Sequence, residues 1–374
     1  MPAKLYIGLM SGTSLDAIDC VVCSFGEAQT CEAVKLLATH SHPFPAKLRN
    51  QLIELVSKPE EIVPEELGSL DEELGHVYAL AVNALLESAE YDKEKIAAIG
   101  NHGQTVLHKP DADPGFSLQL GDGNIIAKET GITTVVDFRS ADIALGGQGA
   151  PLAPVFHHFV FARPGETKAV VNIGGIANVS LLAADGSVTG FDTGPGNTLL
   201  DVWSQEHRGE PYDAGGAWAT GGSVMNKLLE KMLADDYFRM PPPKSTGREY
   251  FNRAWLDARL KFFDRPLPAD VQATLSELTA RTIADALRAT TADEVLICGG
   301  GAFNCDLMRR LAAQLPDKRV AAVPREIIPA DWVEAAAFAW LARARLHEQP
   351  AGLPSVTGAS APAVLGKVCR PSEA

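Results

Sequence analysis

At 374 residues, with 46% hydrophobic and 21% charged content, the chain can bury more than one core and has the composition of an ordered globular protein. A formal charge of −14 argues against a nucleic-acid partner, because such proteins neutralise phosphates with Lys and Arg. No apolar run approaches the roughly 20 residues of a membrane span, and the N-terminus carries no basic-then-apolar export signal, so the expected location is the cytoplasm, without membrane contact.

The first element is an apolar strand, Leu5 to Met10, and a second runs from Ile18 to Phe25. Between them Ser11, Gly12, Thr13 and Ser14 make a tight turn that presents several backbone N–H groups and three hydroxyls in a small volume, a cradle for an anion. Cys20 and Cys23 have C-x-x-C spacing, but an odd separation along a strand sends them to opposite faces, so they read as buried reduced thiols and not as a metal framework. Leu48, Leu52, Leu55 and Val56 predict a helix, and the spacing of Leu67, Leu70, Leu74, Val77 and Leu80 predicts a longer amphipathic one over Pro64 to Ala89. A short buried strand, Ile96 to Gly100, runs into Asn101-His102-Gly103-Gln104-Thr105. Helices and strands alternate from here, an α/β pattern.

After the strand Thr133 to Val136, the Gly-, Ala- and Pro-rich segment Asp137 to Pro154 reads as a crossover between domains. The strand–turn–strand arrangement then recurs: Ala169 to Ile173, Gly174-Gly175-Ile176-Ala177-Asn178, and Val179 to Leu182. Phe191 to Asn197 is a turn at a strand end that leads into a helix from Leu199, and Pro241 to Asn252 is polar and Pro-rich. A long helix over Val271 to Leu287, a strand Glu294 to Ile297, the turn Cys298 to Asn304 and a final helix from about Trp332 to Leu346 complete the pattern. The tail, Pro350 to Ala374, reads as flexible by composition, with a short edge segment around Val364-Leu365-Gly366 as the alternative.

Hairpin, crossover, hairpin, then strand, glycine turn and helix is the layout of the actin-like ATPase fold. The expected fold class is therefore α/β, with two ribonuclease-H-like domains whose mixed sheets are flanked by helices and an active site in the interdomain cleft. Residues 1–137 plus about 343–374 are expected to form the first domain, and residues 138–342 the second. The two hairpin turns would grip one polyphosphate from two sides, with Cys298 to Asn304 flanking the adenosine. Neither G-x-x-x-x-G-K-[ST] nor G-x-G-x-x-G occurs, so this is not a P-loop protein.

Ten segments carry a closer likeness: Met10 to Asp19 (MSGTSLDAID), Asn101 to Thr105 (NHGQT), Leu118 to Asn124 (LQLGDGN), Val136 to Asp142 (VDFRSAD), Gly146 to Pro154 (GGQGAPLAP), Asn172 to Ser180 (NIGGIANVS), Phe191 to Asn197 (FDTGPGN), Lys244 to Arg248 (KSTGR), Cys298 to Asn304, and Glu334 to Ala342 (EAAAFAWLA). In these the chain resembles the anhydro-N-acetylmuramic acid kinases of bacterial cell-wall recycling. The resemblance implies that ATP, with Mg²⁺, phosphorylates O6 of an amino sugar in the same event that water opens its internal 1,6-ether. It also implies ATP binding by Gly12, Thr13, Ser14, Leu15, Asp16, Ala17, Ile18 and Asp19, by Asn172, Gly174, Gly175 and Asn178, and by Gly299, Gly300, Gly301 and Asn304. A homodimer is expected on the same ground. Ala17 stands where the family usually has glycine, a change expected to narrow the backbone angles open to the turn.

Asp192 is the carboxylate of the motif that matches the family's catalytic one, and it ends a strand; the role implied is the base that takes a proton from the attacking water. An Asx turn capping the Gly-Pro-Gly bend is the plainer role, and the two are compatible. Asp16 and Asp19 are candidates to hold Mg²⁺ directly or through water, or simply to cap their turn. His102, Gln104 and Thr105 follow a buried strand and suit sugar hydroxyls and an N-acetyl group, although a lone histidine at a strand end is more often structural. Arg139 is a candidate partner for the sugar's lactyl carboxylate, with an interdomain salt bridge as the alternative. Glu334 is read either as a polar contact to the sugar or as a carboxylate at the positive end of its helix. Phe338, Trp340 and Leu341 read as core. Lys244 to Arg248 is expected to form a loop that moves as the domains close, a motion that would keep ATP hydrolysis slow without sugar. Two other classes share parts of this pattern: a kinase for a different sugar, and a non-enzymatic nucleotide-gated binding protein of the actin and chaperone type, which would have no use for Asp192 as a base.

Overall fold

The predicted apolar runs become the central strands of two sheets. A computed structural model describes residues 4–12, 15, 17–30, 32–57 and 63–371. Contacts divide the chain into one unit of Met1–Val160, Glu326–Ile328 and Trp332–Ala374, and a second of Phe161–Arg325 and Pro329–Asp331.

In the first unit, β1 (Leu5–Ser11), β2 (Ala17–Phe25) and β3 (Val34–Pro43) form an antiparallel meander, and β4 (Ile96–Asn101) and β7 (Thr134–Val136) continue the sheet in parallel from β1. Between the last two lies a separate hairpin of β5 (Gln104–Lys109) and β6 (Phe116–Leu120). Ile7, Leu9, Ile18, Cys20 and Val22 lose all exposure as the sheet packs with Leu48, Leu52, Leu70 and Leu74 of the helices Ala46–Ser57 and Pro64–Ser88. Cys23 is equally buried, as expected for a strand covered on both faces.

The helix Val333–Leu346 lies against β1 and β4 at a separation that only glycine permits. A Cβ on Gly8 would sit 1.8 Å from the carbonyl oxygen of Ala335, and one on Gly100 would sit 2.0 Å from that of Phe338. Trp340 of this helix in turn packs on Phe156 and Phe159 of the helix Ala153–Phe161, with ring centroids 6.4 and 5.5 Å apart. These contacts move the division of the chain. The segment 138–160 and the Val333–Leu346 helix belong with the first unit, not with the second as the expected boundaries at 137 and 343 had them.

The second unit repeats the topology. β8 (Lys168–Ile173), β9 (Ile176–Leu182) and β10 (Val188–Pro195) form the antiparallel meander, and β11 (Glu294–Cys298) and β12 (Arg319–Ala322) extend it in parallel from β8. Its core joins Val171, Ile173, Val179 and Ile297 to Ile283, Leu307 and Leu311 from the flanking helices Pro268–Leu287 and Cys305–Gln314. A second cluster, around Trp203, Tyr237, Phe251 and Trp255, holds the helical segment inserted after β10. Three antiparallel strands followed by parallel ones, twice over, is the ribonuclease-H-like arrangement of the expected fold class.

The described part of the C-terminal tail, to residue 371, is ordered, with the expected edge segment in place of the flexibility its composition suggests. Pro354–Thr357 is a helical turn, Gly352 pairs with Ala363, and Lys367–Cys369 adds a strand to β7 at the sheet edge. The backbone finds hydrogen-bonding partners that Pro, Gly and Ala content does not reveal.

Candidate functional site

In the second unit the strand register assembles a row of polar side chains. Asp192 on β10 faces Asn178 on β9, Asn178 faces Asn172 on β8, and Asn172 faces Cys298 on β11. Residues opposite one another across a sheet share a face, so the candidate base stands beside Asn178, with Asn172 next in the same row. Between those asparagines, the carbonyls of Gly174 and Gly175 accept the N–H groups of Asn197, Gly196 and Thr198 at 2.8 to 3.1 Å. The expected phosphate turn is thus tied to the segment that follows Asp192.

Asp192 is 6% exposed. Its Oδ2 accepts the N–H of Thr246 at 3.0 Å, its own N–H donates to the Lys244 carbonyl at 3.1 Å, and its carbonyl accepts the Tyr237 hydroxyl at 2.6 Å. The Lys244–Arg248 motif therefore braces the carboxylate directly. Lys244 is itself buried, with Nζ donating to the Tyr237 carbonyl at 3.0 Å and lying 4.6 Å from the centre of the Tyr237 ring. Burial lowers its pKa, against the opposing pull of Asp192. Burial, with Asp192 and Tyr250 nearby, raises that of Tyr237. Neither Thr246 nor Tyr237 was singled out individually by the sequence. The quoted KSTGR motif was the signal for Thr246, and a bulky aromatic 45 positions away had none.

Gly299, with φ of +76°, starts the third glycine turn and leaves room for Asn172: a Cβ there would lie 2.4 Å from its Oδ1. Gly301 is packed on Ile173, and Gly300 precedes it in a short helical turn, Gly300–Phe303. Asn304 caps the helix Cys305–Gln314, its Oδ1 accepting the Leu307 N–H at 3.0 Å. That oxygen shapes the turn.

In the first unit, Gly12 follows β1 and its carbonyl accepts the Leu15 N–H at 3.2 Å. Thr13, Ser14 and Asp16 lie outside the described residues. Leu15, buried and with φ of +55°, is the described residue of the turn that takes the left-handed conformation, and Arg49 Nε donates to its carbonyl at 2.9 Å. Ala17 already belongs to β2, paired with Pro43, so alanine at that position meets no steric conflict in its backbone angles. Ile18 pairs with Ser11, and Asp19 accepts the Ser41 hydroxyl at 3.1 Å. Below the turn, Ser11 Oγ lies 2.6 Å from the hydroxyl of Tyr78, both fully buried.

His102 and Arg139 come together. The guanidinium Nη2 is 2.9 Å from His102 Nε2, and Nη1 donates to the Gly149 carbonyl at 2.9 Å. Guanidinium nitrogens only donate, so Nε2 must accept and the neutral ring carries its proton on Nδ1. Burial and the Arg139 charge hold the His102 pKa down at about 3, and the same two causes act on His108, also at about 3. His102 Nδ1 and Gln104 Oε1 are buried without a hydrogen-bond partner. Thr105 Oγ1 accepts from Gln119 at 3.3 Å. Glu334 lies half-buried in the first turn of its helix, next to the Ala335 that touches Gly8, and Phe338, Trp340 and Leu341 are core.

The chain matches known proteins over nearly its whole length. The family model described as Anhydro-N-acetylmuramic acid kinase matches residues 4–371. A protein of that name from Shewanella sp. (strain MR-7) is 50% identical over 368 residues, covering 98% of each chain. One from Xanthomonas campestris pv. campestris (strain 8004) is 50% identical over 371 residues, 98% of this chain and 97% of that one. One from Vibrio cholerae serotype O1 is 48% identical over 372 residues, 98% and 99% of the two chains. Matched by that family model over residues 4–371 and 50% identical to relatives of that name along nearly its whole length, this chain belongs to the anhydro-N-acetylmuramic acid kinase family.

Proposed function

We propose that this chain is an ATP-dependent kinase that opens the 1,6-anhydro ring of 1,6-anhydro-N-acetylmuramic acid with water and phosphorylates O6, giving N-acetylmuramic acid 6-phosphate and ADP. The observation that carries the reading is the setting of Asp192, a buried carboxylate held by the Thr246 N–H on the same row as the asparagines of the glycine hairpin. An ether oxygen has no proton to lose. The proton that must leave belongs to the water attacking C1, and Asp192 takes it. The new bond joins that water's oxygen to C1, and the electrons of the C1–O6 bond stay on O6. O6 then attacks the γ-phosphorus, and the bond from phosphorus to the ADP oxygen breaks.

Backbone N–H groups of the turns at Gly12 and at Gly174 and Gly175 hold the phosphates, which suits a chain with a net charge of −14. Gly299, Gly300, Gly301 and the turn capped by Asn304 take the adenosine. Among the described residues no three His, Cys, Asp or Glu side chains form a metal-binding group. That fits Mg²⁺ carried mainly by phosphate oxygens and water, with Asp19, and Asp16 by sequence, as its carboxylates. Bound there, Mg²⁺ supplies charge neutralisation on the phosphates. Arg139 takes the lactyl carboxylate, and His102 Nδ1, Gln104 Oε1, Thr105 and Glu334 take the sugar's polar groups.

No helix among the described residues is long and apolar enough to cross a membrane. The assignment is to a cytoplasmic homodimer, which sedimentation of the purified protein checks. The deciding experiment is turnover in ¹⁸O-water followed by mass spectrometry of the product. The label belongs on the anomeric hydroxyl, and Asp192→Asn abolishes turnover while sparing ATP binding. Label in the phosphate, or an active Asp192→Asn enzyme, overturns the mechanism.

A further inference from the structure

Residues 139–149 of the first unit wrap around a carboxylate that has no exposure at all. Asp142 Oδ2 accepts the Gly149 N–H at 2.8 Å, and Oδ1 accepts the hydroxyl of Thr357 at 2.7 Å. Gly147 permits the wrap, since a Cβ there would stand 2.2 Å from Oδ2. Gly149 is gripped at both ends: Asp142 takes its N–H, and its carbonyl accepts Arg139 Nη1 at 2.9 Å. The guanidinium therefore rests on a carbonyl placed by a carboxylate, and that carboxylate is placed by a hydroxyl more than two hundred residues along the chain. The C-terminal segment makes the grip two-sided, with the Gln148 N–H donating to the Thr357 carbonyl at 2.8 Å and Ser360 N and Oγ both donating to the Leu145 carbonyl at 2.9 Å.

We infer that Thr357 is a positioning residue for Arg139: through Asp142 and Gly149, the C-terminal segment sets the guanidinium that receives the substrate's carboxylate. The inference rests on the proposed role of Arg139 in sugar binding. A two-pronged carboxylate contact tolerates only about half an ångström of displacement. Removing the Thr357 hydroxyl leaves a fully buried carboxylate oxygen short of a donor, so the 142–149 loop must shift to satisfy it. Arg139 shifts with the loop because Gly149 links them, and the phosphate turns do not.

The test compares Thr357→Val, which keeps the volume and loses the hydroxyl, with Thr357→Ser, which restores it. Thr357→Val is expected to raise KM for the anhydro sugar about tenfold, with kcat and KM for ATP within about twofold of the parent, and Thr357→Ser to return it. A second readout needs no substrate. Arg139 donation fixes the His102 tautomer, so ¹⁵N resonances of its ring, assigned with His102→Gln, are expected to move in Thr357→Val and return in Thr357→Ser. Unchanged ¹⁵N resonances in a folded Thr357→Val protein overturn the inference, as does a parallel loss of kcat and of both affinities. Resonances that move and return while the sugar KM stays constant uphold the positioning and instead overturn the role of Arg139 in binding sugar.

Discussion

Mild acid is expected to loosen the first unit through its buried histidines. His102 and His157 are 8% and 0% exposed, and both are held at a pKa of about 3, by burial in each case and by the Arg139 charge in addition for His102. The unfolded rings titrate near 6.5. Because the folded pKa is the lower one, the neutral rings stabilise the fold fully above about 6.5, and that contribution drains away as the pH falls from there toward 3. At pH 5.5 an unfolded ring is about nine-tenths protonated while the folded one stays neutral, a loss of about 1.4 kcal/mol each and about 3 kcal/mol for the pair. His108, only partly exposed, acts in the same direction. Asp71, raised by burial, acts in the opposite sense, and Asp137, lowered by its bonds to Lys367 and Ser140 against burial, contributes only in stronger acid. The assay is urea unfolding at pH 7.5 and 5.5, with hydrogen exchange on peptides of each unit to separate their transitions. The urea midpoint of the first unit is expected to fall by about 1 M, for a slope of 2–3 kcal/mol/M. The second unit contains one histidine, His207, and serves as the internal control. A first-unit stability that changes by less than about 1 kcal/mol refutes the reasoning, as does a His157→Gln variant with undiminished pH dependence.

Gly8→Ala drives a methyl group to 1.8 Å from the Ala335 carbonyl, so the Val333–Leu346 helix must retreat by more than an ångström. A loss of about 1–3 kcal/mol in urea unfolding and a raised sugar KM, from the displaced Glu334, are expected. Tyr237→Phe strips the 2.6 Å hydroxyl from the Asp192 carbonyl, which is expected to lose about 1–3 kcal/mol and to lower kcat more than either KM. Arg310→Met takes from the buried Asp306 one of its two arginine partners among the described residues, the other being Arg309, and takes from Glu277 its buried cation. A loss of about 1–3 kcal/mol is expected by the same unfolding assay, with ATP affinity weakened through the nearby Asn304 cap.

Local signals along the sequence were enough to place β1, β2, β4, β7, β8, β9 and β11, the two hairpins and Asp192 in its motif, while β3, β5, β6 and β12 gave no such signal. Apolar residues in β1, β4, β8 and β11 must leave water, and the glycines between strands permit turns that other residues resist. The sequence also carried the pairing of roles among His102, Gln104 and Arg139 only as far as the family motifs reach. What holds each of these groups comes from long-range packing. Thr246 reaches Asp192 across 54 positions, Gly149 and His102 fix Arg139, and a tail that looks disordered by composition supplies Thr357 to a buried carboxylate. Such contacts have no period and no short-range signature. They exist because packing within each unit brings distant backbone and side-chain groups together out of water, where a polar atom without a partner is too costly to leave alone.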